Sequence, residues 1–167
     1  MPILVGTIVF RKRGTKGFWY NLFSPNEGIT EMFSRHDALL LFDRIEASVI
    51  CRGETFLLVE WTIIERSPLA EHPEHLTVAG YLAHLIACFT EAGPSENTFI
   101  EASRSLLASP FSPACLLHAE KVWGEAMGLR VERPDDLDTH IRLHSANGYR
   151  IRRHLLGKNE HSGRIHA

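Results

Sequence analysis

The chain changes its hydrophobic period once, near residue 67. Before that point, apolar and aromatic residues form short β-branched runs closed off by turn residues. Beyond Glu74 they recur at three- and four-residue spacing. The first pattern reads as strand and the second as helix.

Five strands are legible in the first part. Ile3 to Phe10 stops at Arg11-Lys12-Arg13-Gly14, and Phe18 to Phe23 stops at Ser24-Pro25-Asn26-Glu27-Gly28. Proline fixes φ and glycine accepts positive φ, so the second group is a strong turn signal. Ile29 to Phe33 is a short third strand. Leu39 to Cys51 is a long fourth, broken by Asp43-Arg44, and Thr55 to Glu65 follows across a turn at Gly53. Five strands with a turn every 8–15 residues suit a closed barrel, which also removes hazardous sheet edges. The predicted class is mainly β plus α, with an N-terminal five-stranded OB-fold (oligonucleotide-binding) barrel over residues 1–68.

Ser67-Pro68 ends the last strand, and residues 69–130 are expected to form a helical domain. Leu76, Ala79, Ala83 and Ile86 share a helix face, which stops at Glu91-Ala92-Gly93-Pro94. Ser95 is the expected N-cap of a second helix through Phe99 and Leu106, and Ser112-Pro113 opens a third that ends at Gly128. Residues 131–167 read differently. Thr139 to Ser145 and Tyr149 to Leu155 flank Asn147-Gly148, the strongest short hairpin signal, so a C-terminal β-hairpin with a polar tail is expected to pack on the helices.

Charge narrows the function classes. The formal net charge is -2, with 8 basic and 8 acidic side chains over residues 1–66 and 3 against 7 over residues 67–130. Any polyanion site must therefore be a local patch. Cys51, Cys88 and Cys115 are odd in number and far apart, which argues against a disulfide framework and for a reducing cytoplasm. The opening MPILVGTIVFRKRG places its basic residues after the apolar run, the reverse of a signal peptide, and no apolar stretch is long enough to span a membrane. The chain has no GxSxG, GxxxxGK[ST] or GxGxxG, so nothing argues for an enzyme, and no cofactor is expected. His72-Pro73-Glu74-His75 is not HExxH, and Pro73 spoils helical presentation of its neighbours, so no metal site is expected there either.

One cation group stands out. Arg11, Lys12, Arg13 and Lys16 are expected to sit in the first barrel turn, with Arg35 and Arg52 at other strand ends. Such groups contact phosphates or simply keep a turn solvated. In the adjoining strand Phe18 and Tyr20 share one face and Trp19 the other. Trp19 either stacks bases or packs against the helical block, and the second is favoured because large aromatics bury where two layers meet.

Taken in order, GTIVFRKRG, FWYNLFSPNEGITEMF, RGETFLLVEWTIIERSPL, LTVAGYLAHLIACF and LLHAEKVWGEAMGLRVE resemble the RecO family of DNA-repair recombination mediators over about residues 3–155. The resemblance implies a non-catalytic protein that binds single-stranded DNA, here through Arg11, Lys12, Arg13, Lys16, Trp19, Arg35 and Arg52. It further implies two protein partners, the C-terminal tail of single-strand DNA-binding protein and RecR. A tail ending in an apolar residue and a carboxylate needs an apolar pocket beside a cation. Phe99, Leu116, Leu117 and Trp123 are the candidates for the pocket, and Arg104 or Lys121 for the carboxylate, with core packing the default for the apolar set. Three departures matter. The family's basic, glycine-containing loop is matched here by Ser34-Arg35-His36-Asp37, the stretch matching its zinc-type cysteine cluster has no cysteine, and the sequence stops at Ala167 where the family continues into further helices and basic residues. The missing basic loop, the acidic helices and the short C-terminus favour a rival expectation, a protein-docking adaptor that has lost DNA annealing.

Overall fold

A computed structural model describes residues 1–89 and 94–157. Five strands, β1 (Ile3–Arg13), β2 (Phe18–Ser24), β3 (Gly28–Ser34), β4 (Arg44–Arg52) and β5 (Thr55–Glu65), close into a barrel in the order β1-β2-β3-β5-β4. The pairings are antiparallel except for β3 with β5, which run parallel through Met32↔Phe56 and Phe33↔Leu57. The long β1 serves two neighbours. Its first half pairs with β4 (Ile3↔Ser48 to Thr7↔Arg44), and its second half pairs with β2 (Thr7↔Phe23 to Arg13↔Phe18) after a bulge between Ile8 and Phe10. Gly6 lies at this changeover, where a Cβ would stand 2.2 Å from the Phe23 carbonyl oxygen. Only glycine lets the two backbones approach so closely at the barrel corner.

Alternation along the strands fills the barrel. Ile8, Tyr20, Leu22, Met32, Ile45 and Val49 point inward and are buried. The predicted fourth strand begins too early: residues 39–43 form a connection, and β4 starts at Arg44. Leu39 and Phe42 are apolar because they plug the barrel and its junction with the helices, not because they belong to a strand.

That connection is the joint of the molecule. Phe42 is fully buried with φ 69°, a left-handed conformation that costs a bulky residue about 1–3 kcal/mol. The surroundings hold it there. Its N–H donates to the Ile8 carbonyl (2.7 Å), and its own carbonyl accepts from the Arg104 guanidinium. The neighbouring Asp43 carboxylate, also fully buried, accepts from the N–H groups of Leu40 and Ser67 (2.7 Å each) and from Arg66 (3.1 Å). Asp43 thereby binds the barrel's exit to the connection that precedes β4.

Two 3-10 turns, Pro68–Ala70 and Pro73–His75, lead into the helices α1 (Leu76–Ile86), α2 (Pro94–Leu107) and α3 (Pro113–Ala126). Ser112 caps α3 by accepting from the Cys115 N–H (3.2 Å), with Pro113 at the first helical position, as the Ser-Pro pair predicts. The predicted cap at Ser95 is corrected: α2 already includes Pro94, so Ser95 sits inside its first turn. The expected stop at Glu91-Ala92-Gly93 lies outside the described residues. No helix among the described residues is long and apolar enough to cross a membrane.

The C-terminal hairpin is also corrected. Residues 131–157 carry two further helices, α4 (Pro134–His144) and α5 (Ala146–Leu155). Ser145 separates them, and its hydroxyl caps α5 by accepting from the Gly148 N–H (3.0 Å). Gly148 therefore serves the first turn of a helix, where a Cβ would lie 2.6 Å from the Ser145 hydroxyl and 3.6 Å from the Tyr81 ring. Leu137 and Ile141 of α4 belong to the same core as Leu82, Phe99 and Trp123, so the stretch is part of the helical domain. Val9 and Phe23 join that core from the barrel wall. The polar tail beyond Gly157 lies outside the described residues.

A buried polar group fastens α5. Glu120 of α3 is fully buried; its carboxylate accepts from the Tyr81 hydroxyl and from Arg152 Nε (2.6 Å), while Arg152 also bonds Asp138. Burial, reinforced by the Glu120 charge, pushes the Tyr81 phenol far above its ordinary value of about 10. Below that value the phenol is protonated in both folded and unfolded chains. Above it only the unfolded chain ionises, so stability present at neutral pH is lost as pH rises, by about 1.4 kcal/mol per pH unit. Urea unfolding from pH 8 to 11 is expected to show this decline, and Tyr81→Phe to remove that component of it. An equal decline in the variant would show that Tyr81 is not the group responsible.

Candidate nucleic-acid interface

The β1–β2 register sets the geometry of the cation group. Arg11 stands opposite Tyr20, Lys12 opposite Trp19 and Arg13 opposite Phe18, and β3 continues the rows with Phe33 beside Trp19 and Ser34 beside Phe18. Tyr20 is inside the barrel, so the Lys12–Trp19–Phe33 row faces out. Lys16 lies in the turn between β1 and β2, and Arg35 follows directly on β3. Arg11, Lys12, Arg13, Lys16, Trp19 and Arg35 are thus gathered at one end of three adjacent strands.

They are not equivalent. Arg11 is committed to an ion pair with Asp37, and its guanidinium lies 5.2 Å from the centre of the Phe18 ring. Lys12, Arg13, Lys16 and Arg35 are exposed and make no ion pair with any carboxylate among the described residues. Arg52 belongs to a different hairpin, opposite Thr55, and that hairpin borders β3 through the Met32↔Phe56 pairing.

Trp19 does not pack on the helical block. It meets Phe33 edge-to-face at 5.1 Å on the outer barrel wall, and neither ring belongs to the barrel core or the helical core. Both are half-buried. Phe33 is the residue that reading the sequence missed. Its partnership with Trp19 depends on the β2–β3 register, which is set by the three-residue loop between Ser24 and Gly28.

Farther along the same wall, a groove of about 270 Å³ runs between the barrel and α1. Phe10, Asn21 and Ile29 line it from the barrel, and Gly80, Ala83 and His84 from the helix. Phe10 and Ile29 are more than 40% exposed, and the buried Asn21 Oδ1 accepts no hydrogen bond among the described residues.

The helical candidates fall out differently. Phe99, Leu116 and Trp123 are wholly buried in the helical core, and the Trp123 indole donates to the Leu85 carbonyl (3.0 Å), so none offers a surface to a tail. Arg104 is buried, pairs with Glu65 (3.0 Å) and donates to the Phe42 and Arg66 carbonyls, which makes it a bolt between α2 and the barrel. Leu117 and Lys121 remain accessible on α3.

Among the described residues one set of side chains has the composition of a metal centre, His72, Glu74 and His75, with potential ligand atoms within 4.8 Å of one another. No protein-family model matches this sequence, and no characterised protein matches it either.

Proposed function

We propose that this chain is a non-catalytic DNA-handling adaptor of RecO-like kind, whose barrel is of the OB type and captures single-stranded DNA. The strand order β1-β2-β3-β5-β4 supports the OB reading. In such barrels the β2–β3 face, flanked by the β1–β2 and β4–β5 loops, takes oligonucleotides. Here that face carries the Trp19–Phe33 pair; Lys12 and Arg13 at the end of β1 and Lys16 in the β1–β2 loop lie on one side, and Arg52, the last residue of β4 before the β4–β5 loop, on the other. The observation that carries the reading is this combination of an aromatic pair outside both cores with exposed cations that no carboxylate among the described residues neutralises. Bases stack on the rings and phosphates meet the cations. Partner proteins, a single-strand DNA-binding protein tail or a RecR-like subunit, fall to the accessible α3 surface around Leu117 and Lys121.

Fluorescence anisotropy with labelled single-stranded DNA tests the reading. Affinity is expected to fall with salt at a slope near -0.7 per phosphate neutralised. Joint replacement of Lys12, Arg13 and Lys16 by alanine is expected to flatten the slope by roughly 2. Trp19→Ala is expected to cost roughly 1–3 kcal/mol for each base it stacks, with the slope unchanged. Absence of binding at low salt, or affinity indifferent to salt, would sink the proposal. The commitment of Arg11 to Asp37 and the apolar groove against α1 favour a second reading, a barrel that docks protein segments only.

A further inference from the structure

The geometry points to a binding site for one divalent transition-metal ion of the Zn²⁺ class, held by His72, Glu74 and His75 in the connector between barrel and helices. Glu74 Oε1 lies 3.1 Å from His72 Nδ1 and 4.0 Å from His75 Nε2. Ligand bonds of 2.0–2.1 Å in tetrahedral array place ligand atoms about 3.4 Å apart, so the observed separations straddle what an ion requires.

The tautomer of His75 is fixed. Its Nδ1 lies 2.9 Å from the Leu107 carbonyl oxygen, which can only accept, so Nδ1 carries a proton and Nε2 is the nitrogen left to face Glu74. A ring whose second nitrogen is tied to a backbone carbonyl is the usual arrangement of a metal-ligating histidine. His75 is buried, so the ring is held in place, whereas His72 and Glu74 are open to solvent and give the ion access. The His72 and His75 rings lie nearly parallel with centres 5.3 Å apart. Pro73, which argues against a long helix here, is what begins the tight 3-10 turn that folds the three side chains onto one side.

Two imidazoles and one carboxylate suit Zn²⁺ and its neighbours in the transition series rather than Mg²⁺ or Ca²⁺, which prefer all-oxygen shells. Three protein ligands leave the fourth position to water. On binding, the proton that His72 Nδ1 shares with Glu74 moves to Nε2, and the carboxylate exchanges a hydrogen bond for the ion. The ion would clamp the connector and, through His75 and Leu107, the end of α2.

Titration of the whole chain with Zn²⁺ against a chromophoric chelator, with the unfolding temperature followed in parallel, tests the site. One equivalent is expected to bind and to raise the unfolding temperature. His72→Ala at a half-buried position and Glu74→Gln at an exposed one are expected to keep the native circular dichroism. Each should weaken that equivalent by at least about 10-fold, since even outer-shell partners are worth 10–100-fold. Millimolar Mg²⁺ should not compete. The site is refuted if both variants bind Zn²⁺ as tightly as the parent chain, or if the parent takes up no equivalent.

Discussion

Arg152→Met is expected to lower the free energy of unfolding by about 3–5 kcal/mol, the usual cost of removing one partner from a buried ion pair. Both side chains are essentially shielded from water, and the Glu120 carboxylate already has one oxygen, Oε1, without a hydrogen bond among the described residues. Removing the guanidinium leaves a buried charge supported by the Tyr81 hydroxyl alone. The loss is a large share of the roughly 5–15 kcal/mol that holds a domain of ordinary stability. Glu120→Leu combined with Arg152→Met should recover part of it, because an apolar pair needs no counter-charge. Recovery stays incomplete, since the Tyr81 hydroxyl then lacks its acceptor at about 1–3 kcal/mol. Urea unfolding of the two single variants and the double one gives the coupling energy directly. An unchanged midpoint for Arg152→Met would mean that α5 is held by its apolar contacts and not by this network.

Asp43→Ala is the second large effect, again about 3–5 kcal/mol, and for a different reason. The carboxylate accepts from two backbone N–H groups and a guanidinium, and each buried donor left unpaired costs about 1–3 kcal/mol. Its loss also frees the connection that forces Phe42 into a left-handed conformation. Asp43→Asn keeps one oxygen acceptor and should cost clearly less. Equal destabilisation by the two substitutions in denaturant titrations would rule out acceptor loss as the cause.

The barrel was legible because each strand announces itself locally. β5 has the bounds expected of it, Thr55–Glu65, and β2 and β3 run at most a residue beyond theirs. The fourth strand was overextended because Leu39 and Phe42 are apolar for tertiary reasons that no short window of sequence shows. The C-terminal error has a sharper cause. Asn147-Gly148 alone signals a reverse turn, yet Pro134 followed by Asp135-Asp136 and a serine three residues before Gly148 are helix-start signals in the same stretch. The dipeptide won because alternation and helical spacing are hard to tell apart over so few residues. Of the candidate interface, the cation group was visible as a run, while the Trp19–Phe33 pair needed the register between two strands. The His72–Glu74–His75 cluster lacks the helical spacing that marks a metal motif in sequence, yet a single tight turn suffices to assemble it.

The parallel pairing of β3 with β5 joins only two residue pairs, whereas β4 and β5 are laced along nine. A cylinder stapled so unevenly has its thinnest seam at β3–β5, the place where local opening is expected to cost least. Phe33 and Trp19 sit on the same side of that seam, joined by the seven-residue β2–β3 pairing, so an opening there leaves the two rings mated.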